Sequence, residues 1–252
     1  FSKKQQERET SLITRFFYPK FGPGQMWETV TDSVRNDGGE VHLNRRVDGI
    51  RLDGNRVISA TIENTETGET EEVTCDYFFS TMPIKHLTGM IRPHPPSRVC
   101  EVADGLQYRD FLTVGLLLKK LFSDIPDNWI YIQEDDVRVG RVQVFNNWSP
   151  YLVADRKNTV WIGLEYFVNE GGDLWTMSDE DLIELGIQEM ESIDFLQRED
   201  VLDGCVKRMP KAYPAYFGSY DQLDVVKEYV NDIENLFLVG RNGMHRYNNQ
   251  DH

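Results

Sequence analysis

The sequence predicts an α/β chain, α+β over its own length, and three patterns carry that reading. Apolar residues alternate with polar ones between Glu40 and Thr81, in runs separated by turn-formers, as in a three-stranded β-meander. Four more β-rich runs, Phe111 to Leu118, Trp129 to Gln133, Arg141 to Phe145 and Val160 to Val168, predict an antiparallel sheet of about four strands. Helical spacing appears at Met26, Trp27, Val30 and Val34, and again at Ile183, Ile187, Met190 and Ile193.

In chain order, residues 1–10 are mostly charged and polar and read as a frayed or helical lead-in. An aromatic run from Phe16 to Phe21 then meets the loop Gly22-Pro23-Gly24, which feeds a helix ended by Gly38-Gly39. Backbone amides at such a helix start can hold a phosphate, although a plain turn before an amphipathic helix fits the same residues. The meander begins with Val41 and Leu43 alternating in Glu40 to Asn44. It continues through Asp53-Gly54-Asn55, whose chemistry suits a hairpin, and through Thr67-Gly68-Glu69 into a last strand from Val73 to Ser80. Thr81 and Pro83 at that strand's end either close over a ligand or merely stop the strand. Pro93, Pro95 and Pro96 mark a boundary, and Ser97 to Ala103 starts a short helix. Ser178 with Asp181 forms a capping-box-like start to the Ile183 helix, whose stripe packs on the second sheet. Residues 169–203 hold twelve acidic residues and one basic one, Arg198, and read as a solvated face. Arg208, Lys211, Tyr213, Tyr216 and Tyr220 cluster basic and aromatic groups, either lining a pocket for an anionic substrate or forming an ordinary strand and loop.

The final stretch concentrates the candidate chemistry. Leu236 to Val239 reads as a short strand buried on both faces, followed by Gly240, where the backbone can approach a ligand. Arg241 adds a planar fork suited to a diphosphate, and Tyr247 a hydroxyl. A strand end followed by a polar loop explains the same residues equally well.

Composition excludes several classes. With 27 Lys and Arg against 42 Asp and Glu, the net charge of −15 opposes nucleic acid and anionic membranes. Cys75, Cys100 and Cys205 lie far apart, which suggests neither a zinc site nor a disulfide framework and fits a reducing, cytoplasmic setting. No apolar run approaches the roughly 18 residues of a membrane span. His42 reads as facing the polar side of its strand, and His86 and His94 as surface residues in a proline-flanked connection. His245 and His252 lie in the candidate region without a Ser or Cys partner, so no nucleophilic triad is indicated and catalytic residues stay unassigned.

Tyr18-Pro19-Lys20-x-Gly22-x-Gly24-Gln25-Met26, the helix ending in Gly-Gly, Val41 to Ile50 (Val-x-Leu-Asn-x-x-Val-x-x-Ile) and Cys75 to Pro83 together resemble the flavin-containing amine oxidase and protoporphyrinogen oxidase superfamily. Gly240-Arg241-Asn242-Gly243-x-x-x-Tyr247 and Asn249-Gln250-Asp251-His252 are most similar to its UDP-galactopyranose mutase-like branch. The resemblance implies an FAD-dependent oxidoreductase, or a mutase-like enzyme acting on a nucleotide sugar in polysaccharide or lipopolysaccharide biosynthesis. It implies FAD contacts at Gly22, Gly24, Val47, Thr81, Pro83, Gly240 and Arg241, and substrate contacts at Tyr247 and Arg241. It also implies segments of an FAD-binding domain at 11–92 and 224–252, with a substrate domain at 93–223. The family's Gly-x-Gly-x-x-Gly turn is missing, because Gly22-Pro23-Gly24-Gln25-Met26-Trp27 lacks the third glycine and a preceding strand. The chain therefore reads as a fragment without the first FAD-binding βαβ unit, beginning at Phe1 and not at Met, and one that does not retain FAD by itself. The amine oxidases' flavin-proximal lysine has no counterpart motif, since Lys119 and Lys120 sit in a strand pattern. A non-catalytic scaffold derived from the same fold, paired with a second copy through the exposed FAD-domain face, is the alternative.

Overall fold

The computed structural model describes residues 17–121 and 123–248. The polar lead-in, Phe16, and the closing Asn249, Gln250, Asp251 and His252 lie outside the described residues. Three sheets organise them. The first has strand order β3-β2-β1-β5, from β1 (Arg45–Asp53), β2 (Arg56–Asn64), β3 (Thr70–Thr74) and β5 (Ile91–Arg92). The second pairs β4 (Phe78–Ser80) with β11 (Leu236–Leu238). The third runs β10-β6-β9-β8-β7, from β6 (Leu106–Leu118), β7 (Trp129–Tyr131), β8 (Arg141–Val144), β9 (Val160–Val168) and β10 (Val201–Gly218).

Contacts divide the chain into two compact units. One comprises the described part of Phe1–Val41 with Val114–Leu164 and Ile183–Cys205; the other comprises His42–Thr113, Glu165–Leu182 and Val206–His252.

In the first unit, helix α1 (Pro23–Asn36) starts as its sequence indicates: Gly22 takes φ 87° and Pro23 supplies a fixed φ where a helix needs no amide. The apolar stripe is not covered. No residue of α1 is buried, and Trp27, Val30 and Val34 remain exposed among the described residues. Tyr18 stacks on Trp148 at 5.0 Å, and the Ser149 hydroxyl donates to the Lys20 carbonyl, tying the lead into α1 to the loop after β8. β7 and β8 pair antiparallel. Ile187 and Met190 of the longest acidic helix are buried, as their spacing predicts. Gly204 on β10 admits this helix closely: a Cβ there would stand 2.9 Å from the Ile183 side chain. The acidic segment is not wholly solvated. Glu189 is buried and accepts the amides of Arg138 (2.7 Å) and Val139 (3.2 Å), and Asp200 is buried as well. A carboxylate that caps backbone amides is sequestered by them, which charge counting does not register.

The second unit holds the meander and a core of aliphatic residues from β1, β2, α2 (Ile84–Met90), α3 (Ser97–Gly105) and the helix Leu223–Asn231. β1, β2 and β3 are antiparallel in sequence order, while β5 adds to β1 in parallel. Three expectations are corrected. Residues 40–44 form no strand, and β1 begins at Arg45. The run from Val73 to Ser80 is two strands in two sheets, because the Asp76 carbonyl between them is taken by Arg56 and Asn235. Phe237 and Val239 of the last strand are exposed, since β11 pairs only with β4; Phe237 stacks on Phe79 at 4.9 Å. The third sheet also has a fifth strand, β10, that the basic and aromatic run conceals behind Gly204 and Pro210. At the start of the acidic helix Ser178 caps the Asp181 amide (3.1 Å), as read.

Candidate functional site

β4 and β11 run parallel, with Phe78 opposite Leu236 and Ser80 opposite Leu238. Their C-terminal ends therefore emerge together. In parallel sheets such ends are where ligands bind, because amides and loops converge there with no ladder partner. This pairing brings Ser80 and Thr81 against the loop after β11, where a Cβ on Gly243 would stand 3.4 Å from the Thr81 Cα, residues some 160 positions apart in sequence. Asn235 makes the arrangement rigid. Fully buried, its side chain accepts the Val57 amide and donates to the carbonyls of Val57 and Asp76, each at 2.8 Å, while its own carbonyl accepts the Phe78 amide at 2.7 Å.

A short helix, α4 (Gly240–Gly243), follows β11. Gly240 has φ 73° and nothing within 4 Å of where a Cβ would stand, so its backbone is open to a ligand. Gly243 faces the other way, and a Cβ there would lie 2.5 Å from the Ser80 carbonyl oxygen. The helix thus rests on the end of β4.

The Arg241 guanidinium is turned onto the protein. It donates to the Asn248 carbonyl (3.0 and 3.3 Å) and the Ala212 carbonyl (3.2 Å), and lies 4.9 Å from the Tyr213 ring centre and 4.6 Å from that of Tyr247. Those two rings are nearly parallel, 6.3 Å apart. Tyr247 is 46% exposed; its amide donates to the Tyr216 hydroxyl at 2.8 Å, and its own hydroxyl bonds no described residue. Val47 sits half-buried on β1 opposite Ile62, next to a register shift. Pro83 precedes α2, whose first turn uses its carbonyl. Gly22 and Gly24 belong to the other unit, at the start of α1.

His245, unremarkable by pattern, is fully buried beneath this loop with φ 47°. One ring nitrogen meets the Ala215 carbonyl at 3.2 Å, the other has no partner, and Tyr108 packs edge-on at 4.9 Å. Burial pushes the His245 pKa down and the Tyr108 hydroxyl up to about 12. No periodicity distinguishes His245; a left-handed histidine between two short loops is visible only in three dimensions. Of the basic and aromatic run, Lys211, Tyr213 and Tyr216 face this region, whereas Arg208 is spent on the carbonyls of Trp175 and Met177 and on Asp179. Among the described residues no group of His, Cys, Asp and Glu is arranged to hold a metal ion. None of the helices described is long and apolar enough to cross a membrane.

Several sheets and helices in this arrangement define a mixed α/β protein. Residues 5–248 match the family model of flavin containing amine oxidoreductases, and the chain belongs to that family. Its fold is that of reduced UDP-galactopyranose mutase (TM-score 0.70, 22% identity, 91% of this chain and 47% of that one). It is similar also to a protein assigned as a protoporphyrinogen oxidase from Exiguobacterium sp. 255-15 (0.68, 14%, 94% and 49%) and to an oxidoreductase from Methanosarcina mazei (0.60, 12%, 89% and 50%). The chain spans about half the length of these solved structures. No curated protein matches it.

The family's flavin fits part of what is described. Gly240 offers an open backbone at the end of the β4–β11 pair. The glycine loop before α1, Gly22-Pro23-Gly24-Gln25-Met26-Trp27, lacks the third glycine of a dinucleotide-binding turn.

Proposed function

We propose that this chain is part of an FAD-dependent enzyme that acts on a nucleotide sugar. FAD would supply the redox chemistry. Val47, Thr81, Pro83 and Gly240 would flank the dinucleotide, and the chain by itself would bind FAD poorly for want of the glycine turn. The domain plan is two FAD-domain segments, 11–92 and 224–252, around a substrate domain at 93–223, in a cytoplasmic enzyme.

The observation that carries the reading is the exposed Tyr247 hydroxyl, unshared with any described residue and held over Arg241 at 4.6 Å. A phenol stacked on a guanidinium has its ring fixed and its O–H free to donate, which suits a diphosphate oxygen. Arg241 offers that ligand a positive field, while its hydrogen bonds to the Ala212 and Asn248 carbonyls hold the loop. The channel of a simple amine oxidase would need no such hydroxyl.

Tyr247→Phe in the flavin-loaded longer enzyme tests the assignment. Losing a hydrogen bond to a charged group should weaken the UDP-sugar by about 1.5 to 3 kcal/mol while FAD content stays constant. Unchanged UDP-sugar affinity would remove Tyr247 from the substrate site.

A further inference from the structure

We propose that the second unit carries an anion-binding cleft for the phosphate group of a small organic phosphate, built on Arg109, Lys85 and His86 and walled by Phe217. The cleft measures about 620 Å³ and is lined by these residues with Tyr108, Asp110, Glu170 and Lys211, among others. That volume falls in the range of about 300 to 1,000 Å³ usual for small-molecule sites.

Its charge is decided by which groups are already matched. Asp110 is buried, and both carboxylate oxygens accept backbone amides, one from Lys211 (2.7 Å) and one from Glu170 (2.5 Å). The Lys211 amide makes its bond to Asp110 from a backbone at φ 53°, unusual for a lysine. Glu170 is in turn paired with the Lys211 ammonium at 3.1 Å. The two acids are therefore occupied, whereas Lys85 is occupied only in part. The Arg109 guanidinium lies 5.5 Å from the centre of the Phe217 ring, and its N–H groups donate to no described residue. Lys85 gives one hydrogen to the Asp104 carbonyl (2.6 Å) and keeps two. The His86 pKa is held down by burial and then by the ammonium groups of Lys211 and Lys85, opposed by Glu170. The local field is thus positive in a chain of net charge −15. A planar fork, an ammonium and an imidazole that line one cleft suit a tetrahedral oxyanion. The exposed Phe217 face beside them offers a surface for the ligand's flat or apolar portion.

The site is read from its own residues and does not depend on the flavin or on Tyr247. It can therefore be tested on the chain as it stands, and its failure leaves the nucleotide-sugar reading untouched. The probe is inorganic pyrophosphate, titrated at constant ionic strength with the His86 ring protons followed by NMR. A saturable shift with Kd of about 1 mM or tighter is expected, with the His86 titration midpoint moving upward as the anion offsets its cationic neighbours. Arg109→Gln should weaken binding about tenfold or more, and Arg109→Lys, which keeps the charge without the fork, by less. Lys157→Gln, in the other unit, should leave it unchanged. Linear, non-saturating shifts, or an affinity indifferent to Arg109→Gln in a variant whose melting curve is intact, would overturn the assignment.

Discussion

Replacing Asn235 with alanine should destabilise the second unit severely, and the size of the effect follows from three bonds. The side chain accepts the Val57 amide and donates to the Val57 and Asp76 carbonyls, all at 2.8 Å. Asp76 retains a bond from Arg56, so its carbonyl is not orphaned. Val57 is completely buried, so both its amide and its carbonyl would be left without a partner. Two unsatisfied buried groups at about 1 to 3 kcal/mol each give a loss of about 2 to 6 kcal/mol. This compares with a total stability of about 5 to 15 kcal/mol for a typical protein. Urea unfolding followed by far-UV circular dichroism, with amide exchange at Val57, measures it. Asn235→Asp should be no better at neutral pH, because its carboxylate would face two carbonyl oxygens, and should recover in part when acid restores a donor. A loss below about 1 kcal/mol for Asn235→Ala, with Val57 exchange unchanged, would refute the idea that this residue locks β4 and β11 to the meander.

Two further outcomes follow from the loop above those strands. Gly243→Ala should cost about 1 to 3 kcal/mol in chemical denaturation, because its Cβ would stand 2.5 Å from the Ser80 carbonyl oxygen, whereas Gly89→Ala, with open space around it, should be tolerated. Burial lowers the His245 pKa, so the unfolded chain takes up a proton before the folded one as pH falls; the stabilisation is present above the unfolded value of about 6.5 and is lost below it. His245→Asn, chosen because asparagine accepts a left-handed backbone, should flatten the fall in urea midpoint between pH 7 and 5.5; the residual slope belongs to His86, whose pKa is lowered in the same direction. An identical slope in variant and parent would contradict the burial argument.

Local chemistry made much of the fold legible. Asp53-Gly54-Asn55 turns β1 into β2, Gly22-Pro23 starts α1 and Ser178 caps the acidic helix because each acts on neighbours within four residues. What the pattern hid depends on distant partners. The break between β3 and β4 is made by Asn235, and the burial of Glu189 by amides some 50 residues away. Asp110 lies outside every pattern read from the sequence, just before the Phe111 run, yet its carboxylate holds the Lys211 and Glu170 amides beside the cleft. Of the candidate site, Gly240, Arg241 and Tyr247 stand close in sequence, whereas the approach of their loop to Ser80 and Thr81 requires a parallel pairing that no local period announces. His245 carried no signal at all.

The most direct test of the proposed function is a titration of UDP into the longer, flavin-loaded enzyme, followed by the flavin absorbance spectrum. The account predicts a saturable perturbation with Kd of about 1 mM or tighter, and a flavin that simple primary amines do not reduce. A spectrum indifferent to UDP, together with flavin bleaching by an amine, would contradict it.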